Sequence, residues 1–137
     1  LHIEAHSFPT RRSSDLPIID SPEKAVELLA DIRDKKQEYF VCLTLDGANR
    51  LIAKRVVTIG TLTASLVHPR EVFADAIADR AASIIVVHNH PSGSMEASQA
   101  DKEVTNRLME AGKLLGITLN DHIIVTKTDY KSLLHPE

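Results

Sequence analysis

The stretch Ser83-Ile84-Ile85-Val86-Val87-His88-Asn89-His90-Pro91-Ser92-Gly93 joins a short apolar run to two histidines and a turn. The run is short and β-branched, which is typical of a buried strand. Because side chains alternate across a strand, His88 and His90 at its end point the same way. Pro91-Ser92-Gly93 is a turn signal. The stretch therefore predicts a buried strand that presents two imidazoles at its carboxyl end.

Ser98 and Asp101 follow this turn at the predicted start of a helix. Two histidines and one carboxylate, with a fourth position left for water, form a ligand set suited to catalytic zinc. Zinc lowers the pKa of such a water toward about 7, which supplies a nucleophile at neutral pH. On this interpretation His88, His90 and Asp101 bind the metal. Ser98 donates a hydrogen bond to the oxyanion that develops on a carbonyl.

A structural explanation covers part of the same pattern. Ser98 with an acid three positions later resembles a helix N-terminus signature, and an acid in the first turn is favoured by the helix dipole. Capping alone explains Ser98 and Asp101 without any metal. It does not explain two histidines on one strand face followed by a turn, so the metal interpretation is preferred.

Length and composition limit the classes of protein that the chain can belong to. Its 137 residues are enough for one domain with a sizeable core. A formal net charge of −3 gives no general attraction to nucleic acid. The single Cys42 cannot form an internal disulfide, and no stretch is long and apolar enough to span a membrane. We therefore expect a cytoplasmic protein with no membrane contact.

The first sixteen residues differ from the rest of the chain. They show no clear periodicity and no apolar core of a secretory signal. The segment from His6 to Leu16 resembles a translated sequencing adapter, and it ends where patterned sequence begins at Pro17. We predict that 1–16 is a disordered or non-native extension and that 17–137 is the domain.

Helical and extended patterns alternate through the rest of the chain. Apolar spacing and end signals predict helices over 22–36, 69–80 and 98–115, with Gly116 ending the last. Extended patterns cover 38–45, 51–59, 61–67, 83–87, 117–119 and 122–126, with a hairpin turn at Asp46-Gly47. The early hairpin favours a mixed sheet over a purely parallel one. The predicted fold class is α/β, with a mixed β-sheet flanked by helices.

The order His-x-His, seven residues, Ser, two residues, Asp resembles the JAMM motif of the JAB/MPN metalloprotease superfamily. More narrowly, the chain is similar to the RadC family from about Pro17 onward. One departure is Ala97, where that family often has proline. The resemblance implies the JAB/MPN fold, with a cytidine-deaminase-like architecture, and zinc held by His88, His90 and Asp101. It is carried by Gln37-Glu38-Tyr39-Phe40, Gly60-Thr61-Leu62, His68-Pro69-Arg70-Glu71-Val72, His88-Asn89-His90-Pro91-Ser92-Gly93 and Asp121-His122-Ile123-Ile124.

The resemblance also implies a general base, because a glutamate upstream of the histidine pair has that role in the superfamily. Glu38 is the candidate, since it opens a strand in the family's Gln-Glu-x-Phe setting. The alternative for Glu38 is a solvated carboxylate at a strand end. Glu71 competes but fits a first helical turn, and Glu96 lies on the loop.

Asp121-His122 has two possible interpretations. In the first, the pair orients a metal ligand by hydrogen bonding. Equally, His122 is a strand histidine satisfied by its surroundings. Neither residue is therefore included among the predicted catalytic residues.

The predicted function is that of a zinc-dependent hydrolase of the JAMM type, with Zn²⁺ as cofactor and a peptide or isopeptide bond as target. The substrate would be a protein or peptide. The alternative is a non-catalytic DNA-repair or mobile-element accessory that retains the metal-binding fold. Nucleic acid enters only through the family's association with DNA repair, since these residues contain no basic stripe that supports it.

Overall fold

The computed structural model of the protein describes residues 5–7, 15–61 and 67–135. Within these ranges the strands form one sheet in the order β1-β3-β2-β4-β5-β6. β4 and β5 pair in parallel, and the other neighbouring strands pair in antiparallel fashion. The predicted mixed sheet is confirmed. The strands are β1 (Ala5–Ser7), β2 (Tyr39–Leu45), β3 (Leu51–Ile59), β4 (Ser83–Asn89), β5 (Thr118–Val125) and β6 (Tyr130–Ser132).

Helices cover both faces of this sheet. α1 (Pro22–Glu27) and a 3₁₀ turn (Ala30–Ile32) pack on one face, and α2 (Pro69–Ala78) and α3 (Gln99–Leu115) pack on the other. The α/β class with helices flanking a mixed sheet is therefore as predicted. Among the described residues, no helix is both long enough and apolar enough to cross a bilayer.

The central strand β4 separates the two layers of core. Ile84 and Val86 belong to the apolar cluster under α2 and α3, whereas Ile85 and Val87 belong to the cluster under α1. By the same alternation, the side chain of His88 lies on the α3 side of the sheet. The alternation of side chains along β4 thus determines that His88 faces α3 and not α1.

The first helix is shorter than its sequence pattern predicts. A helix over 22–36 is wrong, because α1 ends at Glu27 and a 3₁₀ turn follows. Leu29 leaves helical geometry, with φ −110° and ψ 18°, and its side chain is fully buried. The Leu28 carbonyl instead accepts a hydrogen bond from Lys54 Nζ at 3.0 Å. The Leu28 carbonyl thus bonds to a side chain of β3 and not to the backbone N–H of a further helical turn.

The far edge of the sheet also differs from the prediction. The extended patterns at 117–119 and 122–126 form the single strand β5, with a register shift between its pairings at Leu119 and Asp121. β6 was not predicted. The turn before it is closed by Thr126, whose hydroxyl accepts a hydrogen bond from the Asp129 N–H at 3.0 Å. The extended pattern over 61–67 lies mostly outside the described residues, which omit 62–66.

The amino-terminal extension is described only in part. β1 pairs with Arg55, Lys54 and Ala53 of β3, and residues 1–4 and 8–14 lie outside the described ranges. The disordered or non-native origin of 1–16 stays a prediction, as does the domain boundary at Pro17.

Candidate metal centre

The two histidines lie where β4 meets the loop that leads to α3. His88 is 1% exposed and His90 follows just beyond the strand. Nδ1 of His88 lies 3.2 Å from the Tyr39 carbonyl oxygen, and Nδ1 of His90 lies 2.9 Å from that of Ser94. A carbonyl accepts only, so we assign the proton of each neutral ring to Nδ1. Both Nε2 lone pairs are then available to a metal.

Two carboxylates converge on those Nε2 atoms. Glu38 Oε1 lies 3.0 Å from Nε2 of His88, and Asp101 Oδ2 lies 3.1 Å from Nε2 of His90. Asp101 Oδ1 lies 3.9 Å from Nε2 of His88. Ligand atoms around a tetrahedral zinc are about 3.4 Å apart, because each lies 2.0–2.1 Å from the ion. These separations therefore have the scale of a metal site.

The electrostatics of His88 and Asp101 favour the protonation states that bind a cation, whereas those of His90 favour its protonated form. Burial lowers the pKa of His88 more than the nearby Asp101 carboxylate raises it. Burial also opposes ionisation of Asp101, but hydrogen bonds from His90 and from the Ser98 N–H and hydroxyl together hold its pKa well below the usual range. The hydrogen bond to Asp101 raises the pKa of His90. The neutral imidazole of His88 thus faces the ionised, buried carboxylate of Asp101.

Two polar groups of the cluster, the Asp101 carboxylate and the His88 ring, lack suitable hydrogen-bond partners among the described residues. Asp101 Oδ1 is buried and has no hydrogen-bond partner among the residues that the structure describes, a condition that costs roughly 1–3 kcal/mol. Both ring nitrogens of His88 face oxygen acceptors. Only an imidazolium could donate a hydrogen bond to both, yet burial lowers the pKa of His88. A divalent cation between these groups would satisfy both. The residues present therefore fit a metal ion, and Glu38, His88 and His90 form a group whose ligand atoms lie within 4.8 Å of one another.

Ser98 is the N-cap of α3. Its hydroxyl accepts a hydrogen bond from the Asp101 N–H at 3.0 Å and donates one to Asp101 Oδ2 at 2.9 Å. The Ser98 N–H donates to the same carboxylate oxygen at 2.8 Å, which completes a capping box. Asp101 thus closes the capping box of α3 and also lies beside the Nε2 atoms of His88 and His90. The oxyanion role of Ser98 stays a prediction.

A cleft of about 550 Å³ opens beside these groups. The distances above bring together the five predicted residues, of which three line the cleft and two, His88 and Asp101, lie behind them. Most of the lining residues are polar, and several carry hydroxyl groups that suit a hydrogen-bonding substrate. The lining residues are Lys36, Gln37, Glu38, Gly60, Thr61, His90, Pro91, Ser92, Ser94, Glu96 and Ser98.

The competing acidic residues lie elsewhere or play other roles. Glu71 is in the first turn of α2 with its side chain 62% exposed. Glu96 lines the cleft from the loop. Asp121 accepts hydrogen bonds from Ser132 Oγ at 2.6 Å and from two backbone N–H groups, so it holds the carboxyl-terminal segment against β5.

Sequence reasoning missed Asn89. This residue is fully buried, and its side-chain amide bonds to the backbone on either side of Glu38. No local signal could reveal this, because the partners lie fifty and fifty-two positions away.

His122 is a buried residue beneath the centre. Its Nδ1 lies 2.6 Å from Thr105 Oγ1, which donates to the Asp101 carbonyl at 2.8 Å, so His122 is the donor to the threonine. Within the described part of the chain, Nε2 of His122 has no hydrogen-bond partner. Burial lowers the pKa of His122 to about 3. His122 is therefore connected to the backbone of Asp101 through Thr105.

This histidine should make the metal-free protein sensitive to acid. Its pKa in the folded state lies below its unfolded value near 6.5, so its contribution to stability is present above about pH 6.5 and is lost as pH falls toward 3. Replacing His122 with leucine should reduce the slope of unfolding free energy against pH in that window by up to about 1.4 kcal/mol per pH unit. Urea unfolding of chelator-treated protein at several pH values measures this. An unchanged slope would show that His122 is not buried in its neutral form.

Comparison with known proteins identifies the family. The model of the RadC-like JAB domain matches residues 19–137, and the chain belongs to this family. A UPF0758 protein of Methanospirillum hungatei is 49% identical over 131 residues, covering 94% of this chain and 58% of the relative. The UPF0758 protein YsxA of Bacillus subtilis is 50% identical over 117 residues, covering 85% of this chain and 51% of the relative. The chain thus spans about half the length of these curated relatives.

Proposed function

We propose that this domain is a zinc-dependent hydrolase of the JAMM type that cleaves a peptide or isopeptide bond. The carrying observation is the convergence of two imidazole Nε2 atoms on the Asp101 carboxylate, whose Oδ1 has no hydrogen-bond partner among the described residues, with Glu38 beside them at the edge of a cleft. In this proposal His88, His90 and Asp101 hold the ion. Two histidines and a carboxylate are the donors of several zinc hydrolase sites.

Zinc in this position would act as a Lewis acid toward a carbonyl and would lower the pKa of a water. The protein's own contribution begins with Glu38. Its side chain is 24% exposed, whereas that of Asp101 is 0% exposed, so Glu38 is the carboxylate that can exchange protons with the cleft. Glu38 takes a proton from the attacking water and passes it to the leaving nitrogen.

Asp101 and Ser98 have fixed roles in this scheme. Hydrogen bonds from the Ser98 N–H and hydroxyl hold the Asp101 carboxylate in place. Because the Ser98 hydroxyl proton points to Asp101, it must rotate toward the cleft before it can stabilise an oxyanion. The polar lining of the cleft suits an extended peptide backbone as substrate.

The cellular setting in this proposal is the cytoplasm. Cys42 is the one cysteine of the chain, and its thiol is fully buried in the apolar core. Burial raises its pKa, which keeps it in the unreactive thiol form.

Turnover of a broad peptide and isopeptide library by zinc-loaded protein tests the proposal. We expect cleavage that is lost on chelation and restored by adding zinc back. A protein that binds zinc and cleaves nothing in the library would contradict the hydrolase and favour a non-catalytic accessory in DNA repair or a mobile element.

A further inference from the structure

Asn89 connects the ends of two strands where their backbone ladder stops. β2 and β4 pair from Leu45 opposite Ser83 to Phe40 opposite His88. One residue further on, the Asn89 side chain replaces the backbone as the hydrogen-bonding partner of β2. Its Oδ1 accepts from the Tyr39 N–H at 2.5 Å, and its Nδ2 donates to the Gln37 carbonyl at 2.9 Å.

These two bonds hold the peptide groups on both sides of Glu38. The Gln37 carbonyl belongs to the peptide group before Glu38, and the Tyr39 N–H belongs to the one after it. The Glu38 carbonyl is held from the other side by the Gly60 N–H at 2.8 Å. With both flanking peptide planes fixed, the backbone angles of Glu38 are fixed as well. The direction of its side chain then follows from a small set of rotamers.

We propose that Asn89 is a positioning residue that sets where the Glu38 carboxylate lies relative to His88. An asparagine amide serves this purpose because it offers one acceptor and one donor, as a peptide group does. It also bridges the backbones of the two neighbouring chain segments one residue past the end of the β2–β4 ladder. The catalytic meaning of this role rests on the proposed function, whereas the geometric role does not require a metal.

Removing the amide should displace Glu38 and leave the histidines in place. Asn89→Leu keeps a buried side chain of similar size but leaves the Tyr39 N–H and the Gln37 carbonyl unpartnered. Crystal structures of wild type and variant should show the Glu38 carboxylate moved by more than about 1 Å from His88 Nε2. Misplacement on this scale can cost about 10²-fold in rate. We therefore expect kcat to fall roughly 10–100-fold on any library substrate, with KM within about two-fold.

Asn120→Leu is the matched control. Asn120 lies on β5 of the same sheet, and its Nδ2 donates to Ser83 Oγ at 3.0 Å, away from the cleft. This variant should leave the position of Glu38 and the kcat unchanged. If Asn89→Leu does not fold, Asn89→Ala is used, and amide exchange in the wild type gives a second measurement. The Tyr39 N–H should exchange as slowly as the amides of the β2–β4 ladder.

The outcomes separate the two proposals. A Glu38 carboxylate that stays in place in the Asn89 variant, or a Tyr39 amide that exchanges freely in the wild type, would overturn the role of Asn89. Neither result would contradict the proposed zinc binding or the proposed hydrolysis. A wild type that binds no zinc would instead contradict the proposed function, and the Glu38–His88 distance would still decide the role of Asn89.

Discussion

Replacing Glu38 with glutamine is expected to reduce hydrolysis about 10²–10⁴-fold while zinc stays bound, because an amide cannot accept and return a proton. The substitution keeps the size of the side chain. It also keeps an oxygen that can lie 3.0 Å from Nε2 of His88, as Oε1 does in the native protein. Single-turnover rates on a cleaved library peptide measure the loss of hydrolysis. Elemental analysis measures whether zinc stays bound.

Glu71→Gln is the matched control for that variant. Glu71 is an exposed acid in the first turn of α2, so its substitution should change neither rate nor zinc content. Loss of zinc in Glu38→Gln would contradict the role of general base. It would show that Glu38 is itself a ligand, in keeping with its grouping with His88 and His90. Full activity in Glu38→Gln would exclude Glu38 from both roles.

Replacing His88 with alanine should remove zinc from the purified domain. Wild type is expected to hold about one zinc per chain. The affinity should fall by more than the roughly 10–100-fold that follows loss of a residue that merely hydrogen-bonds to a ligand. His88 is 1% exposed near the end of the central strand β4, so we do not expect an exposed side chain to take its place. Elemental analysis after dialysis against a weak chelator gives the result directly.

His135→Ala serves as the control for His88. This histidine is exposed, and its Nε2 bonds to the Asn120 carbonyl oxygen at 2.9 Å, outside the metal-binding cluster. Its substitution should leave zinc content at the wild-type level. Zinc retained in folded His88→Ala protein would contradict the ligand set. Absence of zinc from folded wild type would leave Ser98 and Asp101 as a helix cap alone.

Sequence predicted the parts of the fold that depend on local signals. The Ser21-Pro22 and Pro69 helix starts, the Asp46-Gly47 turn and the Gly116 end of α3 are all determined by neighbouring residues. The predictions fail where a contact between residues far apart in sequence determines the local structure. Periodicity through Leu29 and Ile32 predicts more helix, but Lys54 from β3 bonds the Leu28 carbonyl instead. A bulge in β5 likewise depends on its pairing with β4.

The candidate site shows the same division. His88, His90, Ser98 and Asp101 lie close in sequence, so spacing alone can bring them together. Glu38 was found only through the family resemblance, because fifty residues separate it from His88. Asn89 was not recognised as a supporting residue, and for His122 the sequence left the supporting and the structural interpretation open. Their partners lie on β2 and α3, and a single sequence carries no sign of which strand will pair with which.

In the proposed function the Asp101 carboxylate serves both the end of a helix and the bound ion, and this would couple the two thermodynamically. It closes the capping box of α3 through Oδ2 and presents Oδ1 toward His88. Coupling of this kind is reciprocal. Any solvent condition that frays the first turn of α3 must therefore weaken ion capture, and a captured ion must in turn suppress that fraying to the same extent.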